Sequence, residues 1–269
     1  MSNFPPYVLL YKAVGQTPLE CAELWRQTKP ELKDIPLAYA GRLDPMAEGV
    51  LLVLIGEECK KQVNYHNLDK EYEFEILFGA HSDSGDVLGI VTETEKKVVS
   101  KEEIEIILKT LVGPIELPYP IFSAKTVQGK PLHTWTMENR LHEITIPTRK
   151  SEIFDLELLN HQTLSRSEIA KIALAKIETI PPVTDIRKAL GNDFRRPDVR
   201  KAWALFSKTG SPTDIFSIAK IRCLSSSGTY MRTLAEIIAE KIGSEGLAFS
   251  INRTKIGHYD KGVGWKKLF

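Results

Sequence analysis

Residues 71–78 read Glu-Tyr-Glu-Phe-Glu-Ile-Leu-Phe, and this alternation constrains the fold more than any other stretch. Only an extended backbone sends successive side chains to opposite faces. Tyr72, Phe74, Ile76 and Phe78 therefore share one face, and Glu71, Glu73 and Glu75 the other. A glutamate row opposite an apolar row belongs to an antiparallel sheet with one wet side. Residues 50–55, apolar without a break, read as a buried strand, and residues 7–11 as another.

Helix signals lie between these strands. Thr17 can cap, Pro18 suits the first helical position and Glu20 closes a capping box. Leu19, Ala22 and Trp25, with Cys21 and Leu24, then form the inward face. Residues 56–65 predict a helix through Cys59, Val63 and Tyr65. Ser100 and Glu103 make a second capping box, opening a helix that Gly113-Pro114 ends. Residues 228–243 predict a last helix with Leu234, Ile237, Ile238 and Ile242 inward. The expected class is α+β: a mixed, largely antiparallel central sheet flanked by helices, in one domain spanning residues 1–269.

The 269 residues, 42% hydrophobic and 26% charged, are ample for a sizeable core. No apolar run approaches a membrane span, and the N-terminus lacks a secretory pattern. Cys21, Cys59 and Cys223 form neither a pairing framework nor a metal-ligand spacing, which points to a reducing compartment, the cytoplasm, and to no metal. A net charge of +1 leaves any nucleic-acid contact to local patches.

Residues 41–51 read Gly-Arg-Leu-Asp-Pro-Met-Ala-Glu-Gly-Val-Leu. Pro45 biases Asp44 towards an extended conformation and removes a backbone donor. Gly41 and Gly49 bracket the segment with unusual conformational freedom. The result is one carboxylate on a rigid loop at the mouth of a strand. Taken alone, Asp44 is either a cap at a strand-entry turn or a mounted nucleophile.

These eleven residues resemble the active-site motif of the TruB family of tRNA pseudouridine synthases. Further blocks similar to the family's occur in its order at residues 70–78, 82–89, 118–132 and 228–259. The resemblance implies the pseudouridine synthase catalytic fold, no cofactor, and Asp44 as nucleophile. It implies that Arg232, in Gly228-Thr229-Tyr230-Met231-Arg232, is the cation beside it; a guanidinium can grip a carboxylate with two parallel hydrogen bonds. Tyr72, in Lys70-Glu71-Tyr72, is implied to stack on the target uracil, though it also continues the core row of Phe74 and Ile76. RNA or substrate contacts are implied for Lys12, Tyr39, Arg42, Lys70, Ser123, Lys130, Tyr230, Ile251 and Arg253. Tyr39 stands where the family often has a histidine that helps extrude the nucleotide, and Ala13 follows Lys12 where a proline is usual.

Two departures accompany the resemblance. A helical insertion, residues 161–213, interrupts strands that the family joins briefly, with helical periodicity at Ile169, Ile172, Ala173 and Ile177. Arg187, Lys188, Arg195, Arg196, Arg200, Lys201 and Lys208 give residues 181–208 a net charge of +4. The insertion is expected to project from one edge, as an RNA-contacting arm or a solvated surface. Only Asp260–Phe269 follow Tyr259, so a short form without the family's C-terminal PUA-type domain is expected.

The activity implied is isomerisation of a uridine to pseudouridine in tRNA, at U55 of the T loop, on a flipped-out base. The partner implied is the tRNA T stem-loop, with no membrane, no obligate protein partner and a monomeric state. The competing readings are a catalytically silent tRNA-binding or RNA-folding protein on the same scaffold, and an aspartate-nucleophile hydrolase. The first would not need Asp44, Tyr72 and Arg232 together. The second lacks a convincing water-activating base near Asp44.

Overall fold

A computed structural model describes residues 4–95, 98–183 and 193–266. The chain opens with β1 (Tyr7–Lys12), α1 (Pro18–Gln27), β2 (Leu37–Ala40) and β3 (Glu48–Ile55). After a stretch of 3-10 turns come β4 (Asp69–Phe78), β5 (Ala80–Ser82), β6 (Val91–Glu93), α2 (Lys101–Thr110) and β7 (Gly113–Pro118). The short pieces β8 (Thr126–Val127), β9 (Lys130–Pro131) and α3 (Leu132–Met137) precede the long β10 (Thr148–Ser165). Then follow α4 (Arg166–Thr179), α5 (Arg196–Phe206), β11 (Ile215–Ser225), α6 (Met231–Ile242), β12 (Gly246–Asp260) and β13 (Gly264–Lys266).

Among the described residues the main sheet runs β1-β3-β12-β4-β11-β10-β7, with β2 on β3 and β13 on β12. Every pairing is antiparallel except β3 with β12, which run parallel where Asn252 and Arg253 meet Glu48 and Gly49. The expected α+β class holds. β4 is central, and its glutamate row is only partly wet. Glu71 pairs with Lys255 at 3.1 Å, Glu73 with Lys220 at 2.6 Å, and Glu75 accepts from Ser250 Oγ at 2.7 Å. Opposite charges across neighbouring strands suit the polar face of a central strand. Phe74, Ile76, Phe78, Leu234 and Ile238 are fully buried in one core on the other side.

Both expected capping boxes form, at Thr17 with Glu20 and at Ser100 with Glu103. A third, Ser165 with Glu168, starts α4. The inward face of α1 differs from expectation. Pro18, Cys21 and Ala22 are buried, whereas Leu19 and Leu24 are exposed, because the helix meets β1 and β2 along a stripe of small side chains. Residues 56–65 form 3-10 turns broken at Lys61 rather than one α-helix, and Val63 is exposed.

The insertion also departs from expectation. His161 to Ser165 are still strand, paired with β11 down to Ile215, so the helices start at Arg166. They do not project from an edge. Ile169, Ala173, Ile177, Val199, Trp203 and Phe206 are buried in the same core as the sheet. Arg166, fully buried, pairs with Glu93 at 2.7 Å and Asp214 at 2.9 Å. The Trp203 indole donates to Val87 O at 2.9 Å. Three of the basic residues are taken up by ion pairs with the protein's own carboxylates: Arg195 with Asp83, Arg196 with Asp193 and, at the surface, Arg200 with Glu178. Lys201 and Lys208 are exposed, and Arg187 and Lys188 lie outside the described residues. Among the described residues no helix is long and apolar enough to cross a membrane.

If the two helices are part of the core, Trp203→Ala should cost about 3–5 kcal/mol of unfolding free energy. Urea denaturation reads this directly; a loss below about 1 kcal/mol would make the helices a dispensable surface addition.

Candidate active site

The loop between β2 and β3 carries Asp44, and buried cations hold its base. Lys12 donates to Ala47 O at 2.5 Å and to Ala13 O at 3.1 Å. Arg253 donates through Nε to Val50 O at 2.7 Å and through Nη2 to Gly41 O at 2.9 Å. Backbone bonds from Gly15 N to Pro45 O and from Ala47 N to Asp44 O close the turn. Gly49 has φ +112°, and a Cβ there would lie 2.2 Å from Arg253 O, so only glycine allows this approach. The rigid loop expected from the sequence thus owes its shape to ammonium and guanidinium groups gripping carbonyls.

Asp44 Oδ2 lies 2.8 Å from Arg232 Nη2, with the carboxylate side chain 49% exposed and the arginine side chain 6%. The guanidinium is therefore nearly buried while its partner acid faces an opening. The pair is single-pronged rather than the expected double fork. Arg232 Nη1 donates to Ser84 O at 3.0 Å, Nη2 also donates to Phe122 O at 3.2 Å, and Nε is 3.7 Å from Asp86 Oδ2. Asp86 is buried; it accepts from Ser84 Oγ at 2.7 Å and from Leu88 N at 2.9 Å, and burial pushes its carboxyl up against the pull of Arg232. Glu236, one helical turn after Arg232, is pushed by burial up to about 7. The resemblance marks residues 82–89 as a family block, but nothing local in the sequence marks Asp86 as an arginine partner.

Tyr72 is opposite Arg253 on β12 and Cys223 on β11. Its half-buried ring packs on the main core, and burial pushes its hydroxyl up while Arg253 pulls it down. Tyr230 immediately precedes α6, and its ring lies 5.3 Å from that of Tyr119. Burial pushes the Tyr230 hydroxyl up to about 12, with Asp44 and Arg232 among the charges acting on it. Arg149, missed in the sequence, lies against Gly228, where a Cβ would meet its Nε at 2.5 Å.

The remaining expected contacts divide. Arg42 is exposed beside Asp44. Ser123 follows Phe122, so its segment touches Arg232; its carbonyl accepts from His133 N at 3.1 Å. Lys130 pairs with Glu138 at 2.6 Å and sits over the Trp135 ring, away from Asp44's contacts. Tyr39 packs half-buried on Cys21, Ala22, Leu51 and Val53. Lys12, Arg253, Ile251 and Lys70, expected to contact RNA or substrate, are buried. The first two hold the loop backbone, Ile251 belongs to the core, and Lys70 donates to Leu68 O. Among the described residues no cluster of His, Cys, Asp or Glu is grouped to hold a metal.

Comparison with known proteins follows the same lines. A solved chain in a Cbf5-Nop10-Gar1 complex superposes with a TM-score of 0.54 at 16% identity, covering 93% of this chain and 48% of that one. The two chains share a fold. The family model of TruB family pseudouridylate synthase (N terminal domain) matches residues 31–174. A tRNA pseudouridine synthase B of Caldicellulosiruptor saccharolyticus is 32% identical over 211 residues, 74% of this chain and 70% of that protein. tRNA pseudouridine synthase 4 of Saccharomyces cerevisiae is 25% identical over 237 residues, 80% of this chain but 59% of its own length. The chain belongs to the TruB family of pseudouridylate synthases.

Burial, reinforced by Arg253, lowers Lys70 from 10.5 to about 7. Between those pH values the unfolded chain holds a proton there that the native protein does not, so native stability rises with pH across that window. The unfolding free energy of the wild type minus that of Lys70→Met should therefore climb from pH 7 to pH 10. A flat difference would show that Lys70 keeps its proton in the fold.

Proposed function

We propose that this chain converts a uridine of tRNA to pseudouridine, at position 55 in the T loop, with Asp44 as the covalent or charge-stabilising carboxylate. The observation that carries the reading is the Asp44–Arg232 ion pair, in which a nearly buried guanidinium presents a half-exposed acid. The relatives' names supply the substrate class, tRNA. The reaction breaks the N1–C1′ bond, turns the uracil over, and joins C5 to C1′; N1 gains a proton and C5 loses one. No electrons are exchanged with an outside carrier. A carboxylate fixed in position can attack or stabilise the sugar or base during this exchange.

The base must leave the RNA stack to reach Asp44. Tyr72 offers a ring for it to stack on at the start of β4, and Tyr230, close enough to Asp44 and Arg232 to feel their charges, offers a second. Lys125, 5.1 Å over the Tyr119 ring, and exposed Arg42 are cations available to phosphates beside the opening. The whole chain acts as one catalytic unit in this reading, and the cytoplasm, where tRNA is modified, is its compartment.

Incubation with unmodified tRNA tests the proposal. Wild type should form pseudouridine at one T-loop position. Asp44→Asn should lose on the order of 10⁴-fold in kcat with tRNA affinity within about two-fold. Arg232→Lys should lose about 10²-fold, because an ammonium cannot reach Asp44 and both carbonyls together. Binding without product in the wild type would favour a silent RNA-binding protein instead.

A further inference from the structure

Helices α4 and α5, with the residue just before α5, touch the segment that holds Asp86 at three points. Arg166 pairs with Glu93, Trp203 donates to Val87 O, and Arg195 pairs with Asp83. The Arg195 contact reaches furthest. Its guanidinium lies 4.4 Å from the centre of the Phe122 ring while it binds the Asp83 carboxylate. Asp83 precedes Ser84, and Ser84 O and Phe122 O are the two carbonyls that accept from Arg232. One side chain therefore joins the two loops that fix the guanidinium beside Asp44. Arg195 has φ +68°, a conformation unfavourable for a residue with a Cβ, and these two contacts tie down its side chain. The family match ends at residue 174, so Arg195 lies beyond it although both loops lie within it.

We propose that Arg195 is a positioning residue for the isomerisation, clamping the 82–86 and 119–124 loops so that Arg232 holds Asp44 in its reactive orientation. This rests on the pseudouridine synthase reading above. Arg195 is 11% exposed and already paired, so it acts through the loops rather than by binding phosphate. Small displacements of a catalytic group lower turnover more than affinity, which sets the form of the expected effect.

The test compares wild type, Arg195→Ala, Arg195→Lys, Asp83→Asn and Arg200→Ala, each at a temperature where circular dichroism finds it folded. Arg195→Ala should lower kcat about ten-fold or more with KM for tRNA within about two-fold. Arg195→Lys, which keeps the ion pair but loses the planar contact with Phe122, should recover part of that loss. Asp83→Asn should lower kcat in the same manner, and adding Arg195→Ala to it should cost much less than the two effects combined. Arg200→Ala removes an insertion charge that touches neither loop and should leave kcat unchanged. Amide hydrogen exchange in segments 82–90 and 119–124 should quicken in Arg195→Ala. Unchanged kcat, a rise in KM alone, or unchanged exchange would overturn the clamp. A wild type that makes no pseudouridine would overturn the functional reading instead, and the exchange experiment alone would then decide whether Arg195 fixes the loops.

Discussion

A guanidinium taken almost wholly out of water is costly unless its donors are met, and Arg232 draws its partners from three separate segments. Asp44 comes from the turn before β3, Ser84 and Asp86 from the loop after β5, and Phe122 from the segment after β7. None of these segments has regular structure of its own to fix it. The arginine, rigid at the start of α6, is what makes them converge. Its central position also explains why it reaches Asp44 through a single nitrogen, since the rest of the fork is occupied elsewhere.

The acid is mounted from the other side by the same chemistry. Lys12 and Arg253 are fully buried cations aimed at carbonyl oxygens of the Asp44 turn. Holding the backbone rather than the carboxylate leaves one side of Asp44 open to a ligand. Burial lowers Lys12 to about 8 even with Asp44 nearby, which reflects how closely the turn is packed around it. Stiffness here comes from buried charge meeting backbone, and the two bracketing glycines let the chains come close enough for it.

Much of the scaffold is legible locally. The capping boxes at Thr17 and Ser100 depend on side chains three residues apart, and both form. The alternation in β4 gives its two faces because the period of a strand is a property of the backbone. The acid-turn motif and the block around Arg232 can be read as similarity, and the structure brings those two side chains into contact. What resists reading depends on the third dimension. The sequence does not reveal that Lys12 and Arg253 point inward, because a lysine or arginine is buried only when carbonyls from a distant segment meet it. Leu19 and Leu24 fit the helical period, yet the smaller Cys21 and Ala22 are what sit on the sheet. Arg195 and Arg200 look alike in a basic run, and only their partners, Asp83 and Glu178, separate a residue that touches the site's loops from one that does not.

The central claim is that the open side of Asp44 receives an extruded uracil while Arg232 remains its partner. A crystal structure with a T stem-loop RNA tests it most directly. The uracil should lie outside the RNA stack, in contact with the Asp44 carboxylate and the Tyr72 ring, with the salt bridge to Arg232 intact. A target base still stacked within the loop, or RNA seated on a surface away from Asp44, would contradict it.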